Sequence, residues 1–152
     1  MDNNQRIYLD TSVISALFDD RNPDRRDITR DFFLKIDKFD TFVSDITVDE
    51  VNDASNPKLR SRMREAISRF TVLPMTANAE QLARAYVRHG AVPESNLADA
   101  FHIAIAVLNG IGFLLSWNFR HIVRLKTRDI VLKVNALNRL PQITILTPGE
   151  MI

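Results

Sequence analysis

Apolar residues fall into two kinds of pattern along this chain. Five short runs stand out: Ile7-Tyr8-Leu9, Thr41-Phe42-Val43, Thr71-Val72-Leu73, Phe113-Leu114-Leu115 and Ile143-Thr144-Ile145-Leu146. They are rich in β-branched or aromatic residues and do not alternate apolar with polar, as suits strands covered on both faces of a parallel sheet. Between them, apolar positions recur every three or four residues. Ile28, Phe32, Ile36 and Phe39 form one such series, Leu82, Ala85, Tyr86 and His89 a second, and Ala100, Ile103, Ala104 and Val107 a third. This spacing predicts helices. Capping side chains precede each: Asn22-Pro23-Asp24, Thr76-Ala77-Asn78 and Glu94-Ser95-Asn96.

Strands alternating with helices imply right-handed crossovers and an α/β fold, a mostly parallel five-stranded sheet flanked by helices on both faces. The stretch between the third and fourth strands is long enough for two helices. Strand four is therefore expected to start a new direction beside strand one. That junction is a topological switch point, where ligands bind in such sheets.

At 152 residues the chain is expected to form a single domain over 1–152. Its 45% apolar and 26% charged shares exclude a disordered or collagen-like chain. With no cysteine, a disulfide framework, a thiolate metal site and a cysteine nucleophile are excluded. The polar start, Met1 to Arg6, holds no apolar core of signal-peptide length. The longest apolar stretch, Phe101 to Leu115, is broken by His102, Asn109, Gly110 and Gly112. It falls short of the roughly 20 residues that cross a bilayer. A soluble, cytoplasmic protein is expected.

Four positions could carry chemistry. Asp10 ends the first strand, followed by Thr11 and Ser12; a carboxylate there faces the ligand crevice, although an N-cap would also explain it. Glu50 lies on a helix beginning near Asp45, with Ile46 and Val51 toward the core and Glu50 free to point at the end of strand one. Its neighbours Asp45, Asp49 and Asp53 read as a solvated, dipole-favoured face. Asp99 opens an otherwise apolar helix, Leu97 to Leu108. A buried unpaired carboxylate costs several kcal/mol, so Asp99 either caps that helix or meets a cation. His102 shares its face and reads as a hydrogen-bonded core residue more readily than as a ligand. Asn118, in the turn after strand four, falls beside Asp10 if the switch point is right; a plain turn residue is its other reading. Arg120 and His121 follow it, placed to meet phosphate or to lie solvated. Three carboxylates and an amide at a sheet's mouth suit Mg²⁺ or Mn²⁺. The usual task of such oxygen-rich sites is phosphoryl chemistry.

In order along the chain, Tyr8-Leu9-Asp10-Thr11-Ser12-Val13, Ser44 to Val51 around Glu50, Asp99-Ala100-Phe101-His102-Ile103-Ala104-Ile105-Ala106 and Ser116-Trp117-Asn118-Phe119 resemble the motifs of PIN domains. The closing Leu146-Thr147-Pro148-Gly149-Glu150 is similar to the end of a VapC-like branch. The resemblance implies a metal-dependent endoribonuclease, the toxin of a toxin–antitoxin pair. By position, Asp10, Glu50 and Asp99 match its acidic metal ligands for Mg²⁺ or Mn²⁺. Asn118 matches a fourth position where aspartate is frequent, and Thr11 and Ser12 match the hydroxyl residues flanking the first acid. Substrate contacts are expected at Thr11, Ser12, Arg120 and His121. The implied reaction is in-line attack of activated water on an RNA phosphodiester, leaving a 5′-phosphate and a 3′-hydroxyl. An antitoxin protein and a second copy, docked through the helices after strands one and two, are the expected partners. A PIN-like module that binds RNA or protein with weak catalysis is the alternative.

Two other Asp-bearing α/β families fit less well. A haloacid-dehalogenase-type phosphatase needs an acid where Ser12 stands, and a receiver domain needs a lysine where Thr147-Pro148-Gly149 stands. The formal net charge of +1 excludes only uniform, bulk-charge binding of nucleic acid. It averages an acidic region 1–57, with 13 acids and 7 bases, and a basic region 58–152, with 6 acids and 13 bases. The basic residues cluster as Lys58, Arg60, Arg62, Arg64 and Arg69, then Arg120, Arg124, Lys126, Arg128, Lys133 and Arg139. They are solvated helix faces or, beside the acids, a track for phosphate.

Overall fold

The five apolar runs become five strands: β1 (Gln5–Leu9), β2 (Phe39–Ser44), β3 (Thr71–Leu73), β4 (Phe113–Leu115) and β5 (Thr144–Leu146). The computed structural model describes residues 4–152; the polar start at Met1–Asn3 lies outside the described residues. All four strand pairs are parallel, in the order β3-β2-β1-β4-β5. The chain thus works outward from β1 to β3, then crosses back to lay β4 on the other side of β1. The switch point lies between β1 and β4, as the spacing of the runs implies.

Crossovers of one hand place the helices on opposite faces. After β1 come α1 (Thr11–Ala16) and α2 (Pro23–Leu34), and after β2 come α3 (Asp45–Asn52) and α4 (Pro57–Ile67). Val13, Ile14, Phe32, Val51, Met63 and Ile67 from these helices pack with Ile7 and Leu9 of β1. Between β3 and β4 run α5 (Ala77–Arg88) and α6 (Leu97–Leu108), and before β5 runs α7 (Leu125–Leu137). Their Leu82, Tyr86, Ile103, Val107 and Val131 pack with Tyr8 and Leu114 on the other face. Successive β1 side chains thus enter opposite cores, which is why the central run is apolar throughout. A last short helix, α8 (Pro148–Met151), returns to the first face.

Two local expectations change. The series Ile28, Phe32, Ile36, Phe39 is not one helix: α2 stops at Leu34, Ile36 opens a single 3₁₀ turn and Phe39 begins β2. Glu94-Ser95-Asn96 also forms a 3₁₀ turn, and Asn96 precedes α6 without accepting a helix N–H. Asn22 and Thr76 do cap α2 and α5, accepting from Arg25 and Ala79. Among the described residues, no helix is long and apolar enough to cross a membrane.

Candidate active site

Asp10 follows β1 at the switch point and is only 4% exposed. Its main chain occupies the N-cap position of α1, but its side chain accepts no helix N–H. Oδ2 instead accepts hydrogen bonds from Ser12 Oγ at 2.6 Å and Ser116 Oγ at 2.8 Å. Pairing of Leu9 with Leu115 puts Asp10 and Ser116 side by side as the two strands end. The acid is therefore held by hydroxyls rather than used as a cap.

Glu50 arrives from the neighbouring strand. Ser44 ends β2 and starts α3 through a reciprocal cap with Thr47, which fixes the helix directly at the carboxyl end of that strand. One turn on, Glu50 Oε1 accepts from Thr11 Oγ1 at 3.0 Å and from His102 Nε2 at 2.6 Å. Glu50 does point to the end of β1. Val51 is buried and Ile46 packs on the opposite core, while Asp45, Asp49 and Asp53 are exposed. Burial pulls the Glu50 pKa upward, but the hydrogen bond and charge of His102, with the Thr11 hydroxyl, hold it below the ordinary value.

Asp99 enters from the first turn of α6. Burial, then the charges of Asp10 and Glu50, push its pKa up to about 6 against the opposing pull of His102 and a hydrogen bond from Asn118. Three acids from three separate elements thus act on one another at the end of β1. His102, one turn along α6, is fully buried. Its Nε2 lies 3.4 Å from Asp10 Oδ1 as well as 2.6 Å from Glu50, and its Nδ1 lies 2.5 Å from Tyr8 Oη. Burial disfavours the imidazolium, but Tyr8, Asp10 and Glu50 outweigh it and hold the pKa well above 6.5.

Asn118 sits beside Asp99, and its Oδ1 accepts the His121 N–H at 3.0 Å. The side chain therefore also serves the turn, leaving one carbonyl lone pair free. Thr11 and Ser12, expected near substrate, each donate their hydroxyl to a site acid, Glu50 and Asp10 respectively. Arg120 is exposed. His121 is partly exposed with its Nδ1 buried and unpartnered; burial, Arg124 and Arg120 lower its pKa. The basic stretches divide in use. Arg124 and Arg128 bind the carbonyls of Ala91 and Ile145, whereas Lys126, Lys133 and Arg139 are exposed.

Sequence reasoning missed Tyr8, Ser116 and a small aromatic surface. Tyr8 reads as plain core because it lies mid-strand. Ser116 could have been found by aligning β4 with β1, which sets it level with Asp10. The surface is formed by Trp117 and Phe119, stacked edge to face at 6.1 Å, with the Arg25 guanidinium over both rings. Phe119 is 49% exposed and adjoins Asn118.

Asp10, Glu50 and Asp99, with Asn118 beside them, are the residues that could hold a cation. Among the described residues, no three His, Asp or Glu side chains are already closed around one metal position. The chemistry of the donor set nevertheless fits a hard divalent ion: all oxygen, with one carboxyl raised to about 6 by burial and then by repulsion from its acidic neighbours. A dication placed there would relieve that repulsion.

A parallel sheet with this switch point, and acids gathered from the end of β1, α3 and α6, define an α/β domain with an acidic site at the carboxyl ends of its central strands. The PIN domain family matches residues 7–123, and the chain belongs to that family. In fold it is similar to VapC20 of Mycobacterium tuberculosis, described as a toxin cleaving the sarcin–ricin loop. That likeness has a TM-score of 0.58 at 21% identity and covers 76% of this chain and 92% of the other. It is equally similar to VapBC2 of Rickettsia felis bound to a DNA fragment of its promoter. There the TM-score is 0.58 at 14% identity, covering 93% of this chain and 97% of the other. No curated protein sequence matches the chain.

Proposed function

We propose that this chain is a metal-dependent endoribonuclease of the toxin type. The observation that carries the reading is the meeting of Asp10, Glu50 and Asp99, drawn from β1's end, α3 and α6, at one switch point. Mg²⁺ or Mn²⁺ would be held by these acids with Asn118 as an accessory, supplying a more acidic water and countercharge for a phosphate. Membership of the PIN family and the VapC-like fold support the same reading.

The protein's own residues have distinct tasks in that reaction. Ser12 and Ser116 pin Asp10, and Thr11 pins Glu50, so that the carboxylates keep fixed directions. Asp99, its carboxyl pKa raised to about 6 by burial and then by Asp10 and Glu50 while that of Glu50 is lowered, is the group most responsive to an arriving cation. Exposed Arg120 and the Arg25–Phe119 surface flank Asn118 and would meet phosphate and base on the RNA side. Hydrolysis forms the bond from water oxygen to phosphorus and breaks the bond to the 3′ oxygen, which takes up a proton. The products are a 5′-phosphate and a 3′-hydroxyl.

A cognate antitoxin that covers the site, and a homodimer formed through the helices following β1 and β2, complete the proposal. VapBC2 is the precedent for a VapC-type fold solved with its partner. The test is RNA cleavage by the purified chain in Mg²⁺ or Mn²⁺, beside its Asp10→Asn variant. Cleavage by the native chain and none by the variant supports the reading. Equal cleavage by both contradicts it, and RNA or protein binding without any cleavage favours the binding-module alternative.

A further inference from the structure

The most unusual buried group in the molecule is His102. It has no exposed surface, and both of its ring nitrogens bond to side chains rather than to main chain. On one side Nδ1 meets Tyr8 Oη at 2.5 Å, and Tyr8 Oη meets Ser44 Oγ at 2.7 Å. On the other side Nε2 donates to Glu50 Oε1 at 2.6 Å. That direction is forced, because an ionised carboxylate only accepts. Ser44 is also the residue that caps α3, the helix carrying Glu50. The series Ser44, Tyr8, His102, Glu50 therefore leaves the start of α3, crosses β1 and α6, and returns to α3 between one and two turns later.

Glu50 shows what this closed circuit achieves. Oε1 takes both Thr11 and His102, while Oε2 has no protein partner among the described residues. The side chain remains 39% exposed, so the free oxygen is open to solvent. We propose that His102, seated by Tyr8, is a positioning residue that clamps Glu50 Oε1 and leaves Oε2 aimed at a divalent cation. This rests on the proposal that the acids hold such a cation. Hydrogen bonds that orient a metal-binding carboxylate commonly change affinity by roughly 10- to 100-fold when removed. A histidine retained only for packing would need neither the hydroxyl of Tyr8 nor its contact with a half-exposed acid.

The test is Mn²⁺ affinity by electron paramagnetic resonance on the full chain, without RNA, for native protein, Tyr8→Phe, His102→Ala and His102→Gln. Tyr8→Phe keeps the ring and its packing and loses only the hydroxyl. The clamp predicts affinity about 10-fold weaker in His102→Ala. It predicts a smaller loss in Tyr8→Phe and partial recovery in His102→Gln, whose amide can donate to Glu50. If His102→Ala fails to fold, shown by lost circular dichroism, Tyr8→Phe and His102→Gln decide. Native affinity in both of these, or no Mn²⁺ binding by the native chain, overturns the proposal. Mn²⁺ binding by a native chain that leaves RNA intact would instead sink the nuclease reading, and the affinity series would still judge the clamp.

Discussion

Asp10 and Ser116 are 106 residues apart in the chain and share a 2.8 Å hydrogen bond. The bond exists because β4 lies beside β1 rather than beside β3. Ser116 Oγ also accepts the main-chain N–H of Asn118 at 2.9 Å, so one hydroxyl ties an acid of the first strand to the turn of the fourth. Asn118 in turn reaches Asp99. The topological switch is thus also the joint that holds the acids together.

Replacing Ser116 by alanine should therefore loosen the site without dismantling the fold. Loss of one buried hydrogen bond to a carboxylate costs about 1.5–3 kcal/mol. The expected result is a lowered thermal midpoint together with weaker Mn²⁺ binding, read by calorimetry and metal titration. A lowered midpoint with native metal affinity would mean that Ser116 serves only the fold.

Asp99 gives a pH dependence of defined sign. Its folded pKa is raised from 3.8 to about 6, so the folded state holds this proton more tightly than the unfolded one. Well below pH 3.8 the group costs the fold nothing, because both states are protonated. As pH rises toward 6 and beyond, the metal-free protein loses stability, by at most about 3 kcal/mol. Thermal melts in EDTA should fall across that window, and Asp99→Asn should flatten the fall. Added Mg²⁺ or Mn²⁺ should raise the midpoint more at pH 7.5 than at pH 5.

The Trp117–Phe119–Arg25 surface makes a prediction about substrate. Phe119→Leu keeps an apolar side chain and removes the flat ring, so loss of base stacking should cost about 1–3 kcal/mol of RNA binding. KM should rise by roughly 5-fold or more while Mn²⁺ affinity stays native. Unchanged KM, with weakened binding of an antitoxin protein, would make the surface a protein contact.

Sequence reasoning reached the parallel sheet and the switch point beside β1, because the central runs must be apolar on both faces and the long gap before Phe113 needs two helices. It also reached Asp10 and Asp99, a carboxylate at a strand's end and one on an apolar helix. Spacing set Glu50 only modestly apart from Asp45, Asp49 and Asp53, and the resemblance to PIN domains singled it out. What escaped was the wiring between them. Tyr8 looks like core because it is core; only its hydroxyl belongs to the site. Whether Asp10 capped α1 could not be settled from spacing, because the competing hydroxyls of Ser12 and Ser116 become neighbours only after the sheet forms. Leu34 ended α2 earlier than the apolar spacing suggests, because Ile36 and Phe39 fill the same core from a turn and a strand.

The central claim is that these acids direct hydrolysis of RNA by an activated water. Its most direct test is to map the ends of RNA fragments produced by the purified chain in Mn²⁺ and in EDTA, with Asp99→Asn in parallel. The account predicts 5′-phosphate and 3′-hydroxyl ends, formed only with the metal and abolished in Asp99→Asn. Cyclic phosphate ends, cleavage that persists in EDTA, or native cleavage by Asp99→Asn would contradict it.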